Sequence, residues 1–365
     1  MLACARACRG RAQRWKGVSI VAQDAGVPTP GARPTLEVVA ARAGVSRATA
    51  SRVLRGASNV SADAREAVLR AADEVSYQVN RAARSLVTRR SDSVAFLVAE
   101  NEERMFHDPY FHGILRGAQA EVAAAGLQLV FVIAATATEV HNFEHFVAGG
   151  HADGVLLISL HGDSHLPRHL ESMGVPTVLN GRPYESSGLL YSVDSDNQTG
   201  ARLATALLLD RGSRCVTTIT GPLDMSAGQD RVAGYRSALA AAGRRPEHGW
   251  EAAGDFTVDG GASAMRVLLQ RAPDLDAVFA ASDLTAIGAL RVLAERGLRV
   301  PEDVAVVGFD DILEARNTSP PLTTIRQPIN DLGRTMARVL LSRIHNTEVA
   351  LSTILPVELI RRGSA

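Results

Sequence analysis

Apolar positions follow two different patterns along this chain, one before and one after about residue 90. Up to residue 77 they recur at helical spacing, which predicts three short amphipathic helices. After residue 93 short apolar runs alternate with amphipathic stretches of about ten to fifteen residues, which predicts strands alternating with helices in parallel sheets. The predicted buried positions of the three helices are, in order, Leu36, Val39, Ala40 and Ala43; Ala50, Val53 and Leu54; and Val68, Leu69, Ala72 and Val75.

The first two predicted helices enclose a turn that has a recognisable chemistry. Gly44 follows the first helix where a C-terminal cap takes positive φ, and Ser46 is a good N-cap for the second helix. Two short helices joined by a glycine turn, with arginines and hydroxyls at the start of the second, are typical of a helix-turn-helix DNA reader. The residues that the second helix presents to solvent are Arg47, Ala48, Thr49, Ser51 and Arg52.

The charge distribution agrees with a head that faces DNA. Formal net charge is zero, but residues 1–90 carry 16 basic and 6 acidic side chains, whereas residues 91–365 carry 23 and 33. A basic head on an acidic body is the electrostatic footprint of a protein whose head meets phosphate. Residues 1–34 are rich in arginine and lack the apolar core of a secretory signal. We expect a disordered tail there, with a transit peptide as the alternative.

The strand and helix pattern of the body predicts two lobes with a cleft between them. A break near residues 194–197 separates two series of strands, which favours two open sheets over one closed barrel. A ligand of open parallel sheets lies beyond the carboxyl ends of the strands, so we expect it at loops 100–111, 159–165, 180–185, 221–231, 281–284 and 309–313. The predicted strands are Val94–Ala99, Leu127–Ile133, Gly154–Ser159, Thr177–Leu179, Val216–Thr220, Ala277–Ala280, Val304–Phe309 and Thr353–Ile360.

Composition and motif content disfavour several classes of protein. No apolar run approaches the ~20 residues of a membrane span, and three cysteines suit a reducing cytoplasm. Neither a Gly-x-Ser-x-Gly elbow nor a phosphate-cradling glycine loop is present, so we expect no enzyme and no cofactor. His161, His165 and His169 recur every four residues, but Gly162 and Pro167 interrupt any helix there, so we expect no metal site.

Residues 35–86 resemble the headpiece and hinge of the LacI/GalR (lactose-repressor) family. The shared features are the Ala-Gly-Val-Ser turn, the Thr-x-Ser-Arg-Val-Leu helix, the Val60-Ser61 cap and an Asn-Arg-x-Ala-x-x-Leu hinge. The body carries further motifs of the family, among them Asp108-Pro-Tyr-Phe111, Arg231-x-x-Gly234-Tyr235 and Val307-Gly-Phe-Asp310. The chain departs from the family pattern at four positions, Val38, Ala50, Arg55 and Val79, the last of which replaces a usual proline at the entry to the hinge.

The resemblance implies an architecture. It comprises an N-terminal all-α helix-turn-helix headpiece with a hinge helix, followed by an α/β two-lobed periplasmic-binding-protein-like core with parallel sheets. The implied domains are a tail at 1–34, the headpiece at 35–79, the hinge helix and linker at 80–90, a first core subdomain at 91–208 and 329–355, and a second at 209–328 and 356–365.

The resemblance also implies how DNA is bound. Arg47 and Arg52 can each donate two hydrogen bonds to a guanine in the major groove. In the family, paired hinge helices of a dimer enter the minor groove, where Leu86 would open the central base step; a core position in a linker helix is the alternative for Leu86. The implied DNA-binding residues are Ser46, Arg47, Ala48, Thr49, Ser51, Arg52, Asn80, Ala83, Arg84 and Leu86.

An effector site in the cleft is implied in the same way. Arginine and aspartate side chains bind vicinal sugar hydroxyls, and aromatic rings stack on sugar faces. The loop at 159–167 resembles that of cellobiose-responsive members, so we expect a glucosidic disaccharide or short oligosaccharide. A plain helix-core role is the alternative for Phe111. The implied effector-binding residues are Tyr110, Phe111, His161, Asp196, Arg231, Phe256, Asp283 and Asp310.

The function implied is that of a cytoplasmic, nucleoid-associated repressor. A homodimer would bind a near-palindromic double-stranded operator, because one headpiece reads only a half-site. The family includes members released by a sugar inducer and members that need a co-repressor, and linkage alone does not decide between them; we expect an inducer. A solute-binding protein and a sugar-processing enzyme with an added DNA domain are the remaining alternatives. The helix-turn-helix argues against the first, and the second would need a catalytic constellation that the sequence does not show.

Overall fold

The computed structural model describes residues 34–54, 56–57, 59–77, 90–184 and 190–365. The chain divides into two compact units, residues 1–80 and residues 81–365. The predicted tail up to residue 33 and the predicted hinge at 80–89 lie outside the described residues.

The described residues of the first unit form three helices: α1 (Leu36–Arg42), α2 (Arg47–Leu54) and α3 (Ala62–Glu74). Gly44 takes a φ of +66°, and Ser46 Oγ accepts a hydrogen bond from the Thr49 amide at 3.1 Å, so the predicted turn and N-cap are both formed. The prediction that Leu69 is buried is wrong, since its exposed fraction is 52%. The buried face of α3 instead runs through Val68 and Ala71, and the whole core consists of Val39, Ala40, Ala50, Val53, Val68, Ala71 and Ala72.

The second unit contains two six-stranded sheets. The first sheet has the order β11-β5-β4-β3-β1-β2 and is parallel throughout. Its strands are β1 (Ser93–Val98), β2 (Gln128–Ile133), β3 (Gly154–Ile158), β4 (Thr177–Asn180), β5 (Tyr191–Ser195) and β11 (Ser352–Leu355). The second sheet has the order β12-β10-β9-β8-β6-β7, with only the β10–β12 pair antiparallel. Its strands are β6 (Val216–Thr220), β7 (Glu251–Ala253), β8 (Ala277–Ala280), β9 (Ala305–Asp310), β10 (Thr323–Arg326) and β12 (Glu358–Ile360).

Helices cover both faces of each sheet, as the near-continuous apolar strands require. The helices of the first lobe are α4 (Glu102–His107), α5 (Pro109–Ala124), α6 (Ala137–Ala148), α7 (Leu166–Ser172) and α12 (Ile329–Ile344). Those of the second lobe are α8 (Asn197–Asp210), α9 (Ser226–Ala241), α10 (Val258–Arg271) and α11 (Asp283–Glu295). Each sheet therefore separates two apolar cores. Within the described ranges, none of the helices combines the length and apolar character that a bilayer crossing requires.

The two-lobed parallel architecture is confirmed, with corrections in detail. Strands β5, β7 and β10 are additional to the predicted ones. The predicted strand Thr353–Ile360 is in fact two strands, β11 and β12, because the chain passes from the first sheet to the second between them. The domain boundary predicted at residue 208 falls inside α8, whose residues Ala201, Ala204 and Leu208 are buried in the core of the second sheet. The first crossing between lobes is therefore near Asp196.

Two glycines allow α5 and α12 to approach backbone to backbone. A Cβ at Gly333 would lie 2.0 Å from the carbonyl oxygen of Ile114, and one at Gly117 would lie 2.0 Å from that of Asn330.

We expect Gly333→Val to lower the free energy of unfolding by about 1–3 kcal/mol, because the helices must separate to admit the side chain. Urea denaturation checks this, with Gly126→Asn as the control, since Gly126 has a φ of +73° and open space around it. Equal stability of the two variants would contradict the packing argument.

Candidate DNA-binding surface and effector cleft

The start of α2 presents a basic, polar surface. Arg47 and Arg52 are both exposed. Arg47 Nε lies 2.9 Å from Glu37 Oε1, and Arg52 Nε donates to a carbonyl one turn earlier in its own helix at 3.4 Å. Exposed contacts of this kind are weak, so DNA can replace them. The hydroxyl of Ser46 is already engaged, since it caps the helix and lies 2.9 Å from Thr49 Oγ1.

Two other arginines of the headpiece make contacts within it. Arg42 Nε lies 2.6 Å from Glu74 Oε2 and ties α1 to α3. Arg65 Nη2 donates to the Ala57 carbonyl and ties α3 to the segment after α2. The remaining predicted DNA contacts, Asn80, Ala83, Arg84 and Leu86, lie outside the described residues and stay predictions.

A cavity lies between the two lobes of the second unit, with about 1030 Å³ of empty space when the open solvent at its mouth is included. The first lobe contributes to its lining Arg104, Asp108, Tyr110, Phe111, Ser159, Leu160, Gly162, Asp163, Ser164, Pro167, Arg168, residues 179–184, Leu190 and Asp194. The second lobe contributes Asn197, Met225, Ser226, Ala227, Arg231, Phe256, Ser282, Asp310 and Gln327. Most of these segments follow strands at their carboxyl ends. The structure thus places the cavity where the strand pattern predicts a ligand.

Five of the eight predicted effector residues line this cavity: Tyr110, Phe111, Arg231, Phe256 and Asp310. Phe111 is only 1% exposed and is also part of the apolar core of the first lobe. It therefore has the helix-core role predicted as the alternative, in addition to its position in the cavity lining.

Asp283 and Asp196 do not line the cavity. Asp283 is completely buried behind it, where its carboxylate accepts hydrogen bonds from the Ile312 amide at 2.9 Å and from the Thr324 hydroxyl at 2.5 Å. Asp196 is the N-cap of α8 and accepts from the Thr199 amide at 3.0 Å. Both carboxylates are occupied by the fold, so we do not retain them as effector contacts.

His161 also lies outside the cavity lining. Its Nε2 is 3.0 Å from Glu100 Oε1, and its Nδ1 is 2.9 Å from Asp224 Oδ2. Glu100 belongs to the first lobe and Asp224 to the second, so His161 lies between the lobes rather than in the cavity. The pKa of His161 is raised, chiefly by its hydrogen bond to Glu100.

Arg231 is the cation at the centre of the cleft. Its Nε donates to Asn197 Oδ1 at 2.9 Å, and its Nη1 donates to the Ala281 carbonyl and lies 3.7 Å from Asp310 Oδ1. The guanidinium carbon lies 3.8 Å from the centre of the Phe309 ring. A planar cation held by a fixed acceptor and an aromatic face is oriented before any ligand arrives.

Asp310 follows β9 directly and is 7% exposed. It takes a φ of +120°, an unusual value for a residue that is not glycine, and its Oδ1 accepts from Gln327 Nε2 at 2.5 Å. Burial raises the pKa of Asp310 to about 7, against the opposing effect of Arg231. Asp310 is thus a carboxyl group whose charge the surrounding protein compensates poorly, as is typical of binding sites.

The first lobe adds a second carboxylate, that of the half-buried Asp194. Its Oδ2 accepts from the Arg182 amide at 3.2 Å, and its Oδ1 accepts from Asn197 Nδ2 at 2.9 Å. Burial raises the pKa of Asp194 to about 6. Because Asn197 also accepts from Arg231, one amide side chain links the carboxylate of the first lobe to the cation of the second.

Two aromatic rings approach the cavity from opposite lobes. Phe111 lies on α5 of the first lobe, and Phe256 precedes α10 of the second. Phe256 takes a φ of +65°, and a Cβ at Gly221 would lie 2.1 Å from its ring, so glycine at 221 makes room for it. The guanidinium carbon of Arg104 lies 5.8 Å from the Phe111 ring centre and 5.4 Å from that of Phe256. Apolar ring faces beside charged groups suit a sugar, which has both apolar faces and hydroxyl edges.

Several cavity residues were missed by the sequence argument, namely Arg104, Asn180, Asp194, Asn197 and Gln327. The signal for Asn180 was available, because it directly follows the predicted apolar strand Thr177–Leu179. Its Oδ1 accepts from the Tyr110 hydroxyl at 2.8 Å. The positions of the other four residues in the lining follow only from the folded structure.

We expect the melting temperature of the sugar-free protein to fall as pH rises from 5 to 8. Asp310 and Asp194 have folded-state pKa values near 7 and 6, raised above the ordinary value of 3.8. A group whose pKa is higher in the folded protein than in the unfolded chain contributes stability that is fully present below the unfolded-state pKa. That stability is lost as pH rises through the folded-state pKa. Asp310→Asn removes one of these groups, so its melting temperature should fall less over the same range. Thermal scans at four pH values check this, and parallel curves for the two proteins would contradict the assignment.

Two family models match the chain. Residues 35–80 match the model described as bacterial regulatory proteins, lacI family, and residues 205–365 match the periplasmic binding protein-like domain. The first match covers the helix-turn-helix, and the second covers the second lobe with the last segments of the first.

Full-length relatives extend these matches. The HTH-type transcriptional regulator CelR of Thermobifida fusca is 51% identical over 313 residues, which are 86% of this chain and 92% of that protein. A solved structure of the transcriptional regulator CelR-cellobiose complex is 46% identical, with a TM-score of 0.74, and covers 91% of this chain and 100% of its own. The crystal structure of the lac repressor dimer bound to operator and the anti-inducer ONPF is 28% identical, with a TM-score of 0.80, and covers 91% and 99%.

Proposed function

The chain belongs to the lacI family of bacterial regulatory proteins, and from that premise we propose that it is a repressor released from its operator by a glucosidic disaccharide such as cellobiose. It binds DNA as a homodimer, since one headpiece reads only half of a near-palindromic site. It acts in the cytoplasm, at the nucleoid. Its relatives are regulators, and we expect no catalysis from it.

The observation that carries the proposal is the lining of the cleft. Arg231 and Asp310 present a buried cation and a buried carboxyl group, and Phe111 and Phe256 supply aromatic rings from the two lobes. Arginine and aspartate can each bind two neighbouring hydroxyls, and rings cover the apolar face of a pyranose.

The likeness to CelR supports the choice of sugar. CelR of Thermobifida fusca is 51% identical to this chain, and a solved structure described as a CelR-cellobiose complex, 46% identical, has the same overall architecture. The loop at residues 159–167, which resembles that of cellobiose-responsive members, supplies several of the cavity residues. A co-repressor-type regulator with a non-sugar effector is the alternative.

Operator binding with and without sugar tests the proposal. Fluorescence anisotropy would be measured at fixed salt, on a near-palindromic fragment from upstream of the protein's own gene, against a random duplex of equal length. Release by cellobiose but not by ribose is the expected result. Binding that cellobiose leaves unchanged would refute the choice of sugar, and binding that cellobiose tightens would refute the inducer mechanism.

A further inference from the structure

Polar side chains join the two lobes directly at the edge of the cleft. Arg182 follows β4 in the first lobe, whereas Gln229 and Asp230 lie on α9 in the second. Arg182 Nε lies 3.0 and 3.2 Å from the two carboxylate oxygens of Asp230. Arg182 Nη2 donates to Asp230 Oδ1 at 2.9 Å and to Gln229 Oε1 at 3.1 Å. The guanidinium thus makes a bidentate contact across the lobes, the strongest geometry for such a pair.

The two partners differ in their relation to the cavity. Arg182 lines it, whereas Asp230 and Gln229 do not. A ligand in the cleft can therefore contact Arg182 but has no contact with Asp230. Arg182 is the group that meets both the ligand and the opposite lobe.

The lobes also meet at a second point, which reports on their separation. The amide of Gly162, in the first lobe, donates to the Asp224 carbonyl of the second lobe at 2.7 Å. This backbone hydrogen bond exists only while the lobes are close. The amide of Gly181, which donates to the Val193 carbonyl at 2.9 Å within the first lobe, is its internal reference.

We propose that the ion pair of Arg182 with Asp230 is the positioning contact that holds the lobes closed around the effector. The inference rests on the proposed function, and it names the contact through which a ligand in the cleft favours closure of the lobes. When a ligand binds only the closed form, its apparent affinity falls as the open fraction of the protein grows. Losing the ion pair therefore raises the apparent dissociation constant of the ligand without changing the cavity.

Hydrogen–deuterium exchange of the full-length protein tests this first without any sugar. We expect Asp230→Asn to speed exchange at Gly162 about threefold to tenfold and to leave Gly181 unchanged. Gln229→Ala removes one contact with Arg182 and also the donation from Gln229 Nε2 to the Leu223 carbonyl at 3.0 Å, so it should change exchange in the same direction through both losses. Glu251→Gln is the matched control. Glu251 on β7 pairs at 2.6 Å with Arg236, which lies on α9 as Asp230 does, and this pair is entirely within the second lobe.

The second readout is the sugar concentration that half-releases the operator. For Asp230→Asn we expect it to rise about threefold to tenfold, with operator affinity in the absence of sugar no weaker than that of the wild type. Wild-type exchange at Gly162 in both Asp230→Asn and Gln229→Ala would overturn the inference. Because that measurement uses no sugar, it decides the inference separately from the question of whether cellobiose is the effector.

Discussion

Replacing Arg52 by alanine is expected to weaken operator binding by between about 30-fold and 10⁴-fold. A bidentate arginine–guanine contact is worth about 1–3 kcal/mol, and a dimer on two half-sites loses it twice. Arg52 lies on the exposed face of α2, and among the described residues its side chain makes a long hydrogen bond within its own helix, so its removal leaves the headpiece core intact. Anisotropy titrations at fixed salt measure the loss.

The loss should depend on base sequence and not merely on charge. Arg70→Ala is the control, because Arg70 is an exposed arginine of α3 and its replacement removes the same charge. We expect Arg70→Ala to weaken operator and random duplex alike and only slightly. If Arg52→Ala lowered affinity for both duplexes by the same factor, Arg52 would be a phosphate contact rather than a reader of bases.

Replacing Arg231 by lysine is expected to raise the sugar concentration needed for operator release by about 10-fold to 100-fold. Lysine keeps the positive charge beside Asp310, so the buried carboxyl group retains a cation. It lacks the planar fork that donates to Asn197 and stacks on Phe309, and it cannot present two parallel donors to neighbouring hydroxyls. Operator affinity in the absence of sugar should stay within twofold of the wild type, giving a repressor that no longer responds at ordinary sugar levels.

Calorimetric titration with cellobiose separates binding from release in this variant. Arg202→Lys, at an exposed position on α8 of the same lobe, serves as the control and should bind as the wild type does. Unchanged cellobiose affinity in Arg231→Lys would show that the guanidinium supports the cleft without touching the sugar.

The relation between sequence and site is clearest where two acidic residues lie close together in the chain. Asp194 and Asp196 both fall in the predicted break between the lobes. The fold makes Asp194 part of β5, where it faces the cavity, and uses Asp196 to cap α8. Whether a residue ends a strand or begins a helix depends on where the chain turns, so the sequence pointed to Asp196 where the structure has Asp194 in the cavity lining. Asp283 was misplaced for a similar reason, since a residue that follows a strand can point behind the sheet edge as well as beyond it.

Local chemistry by itself determined the DNA-reading head and the class of the core. The Gly44 turn, the Ser46 cap and the apolar spacing of α1–α3 depend on neighbours within a few residues, and alternating strands and helices admit few topologies. Only the tertiary structure decided that α8 belongs to the second lobe, that Asn197 links Asp194 to Arg231, and that Arg182 reaches Asp230. Arg231 pairs with Asn197 across 34 positions and Arg182 with Asp230 across 48. No periodicity records which of many polar side chains will meet once two separate lobes come together.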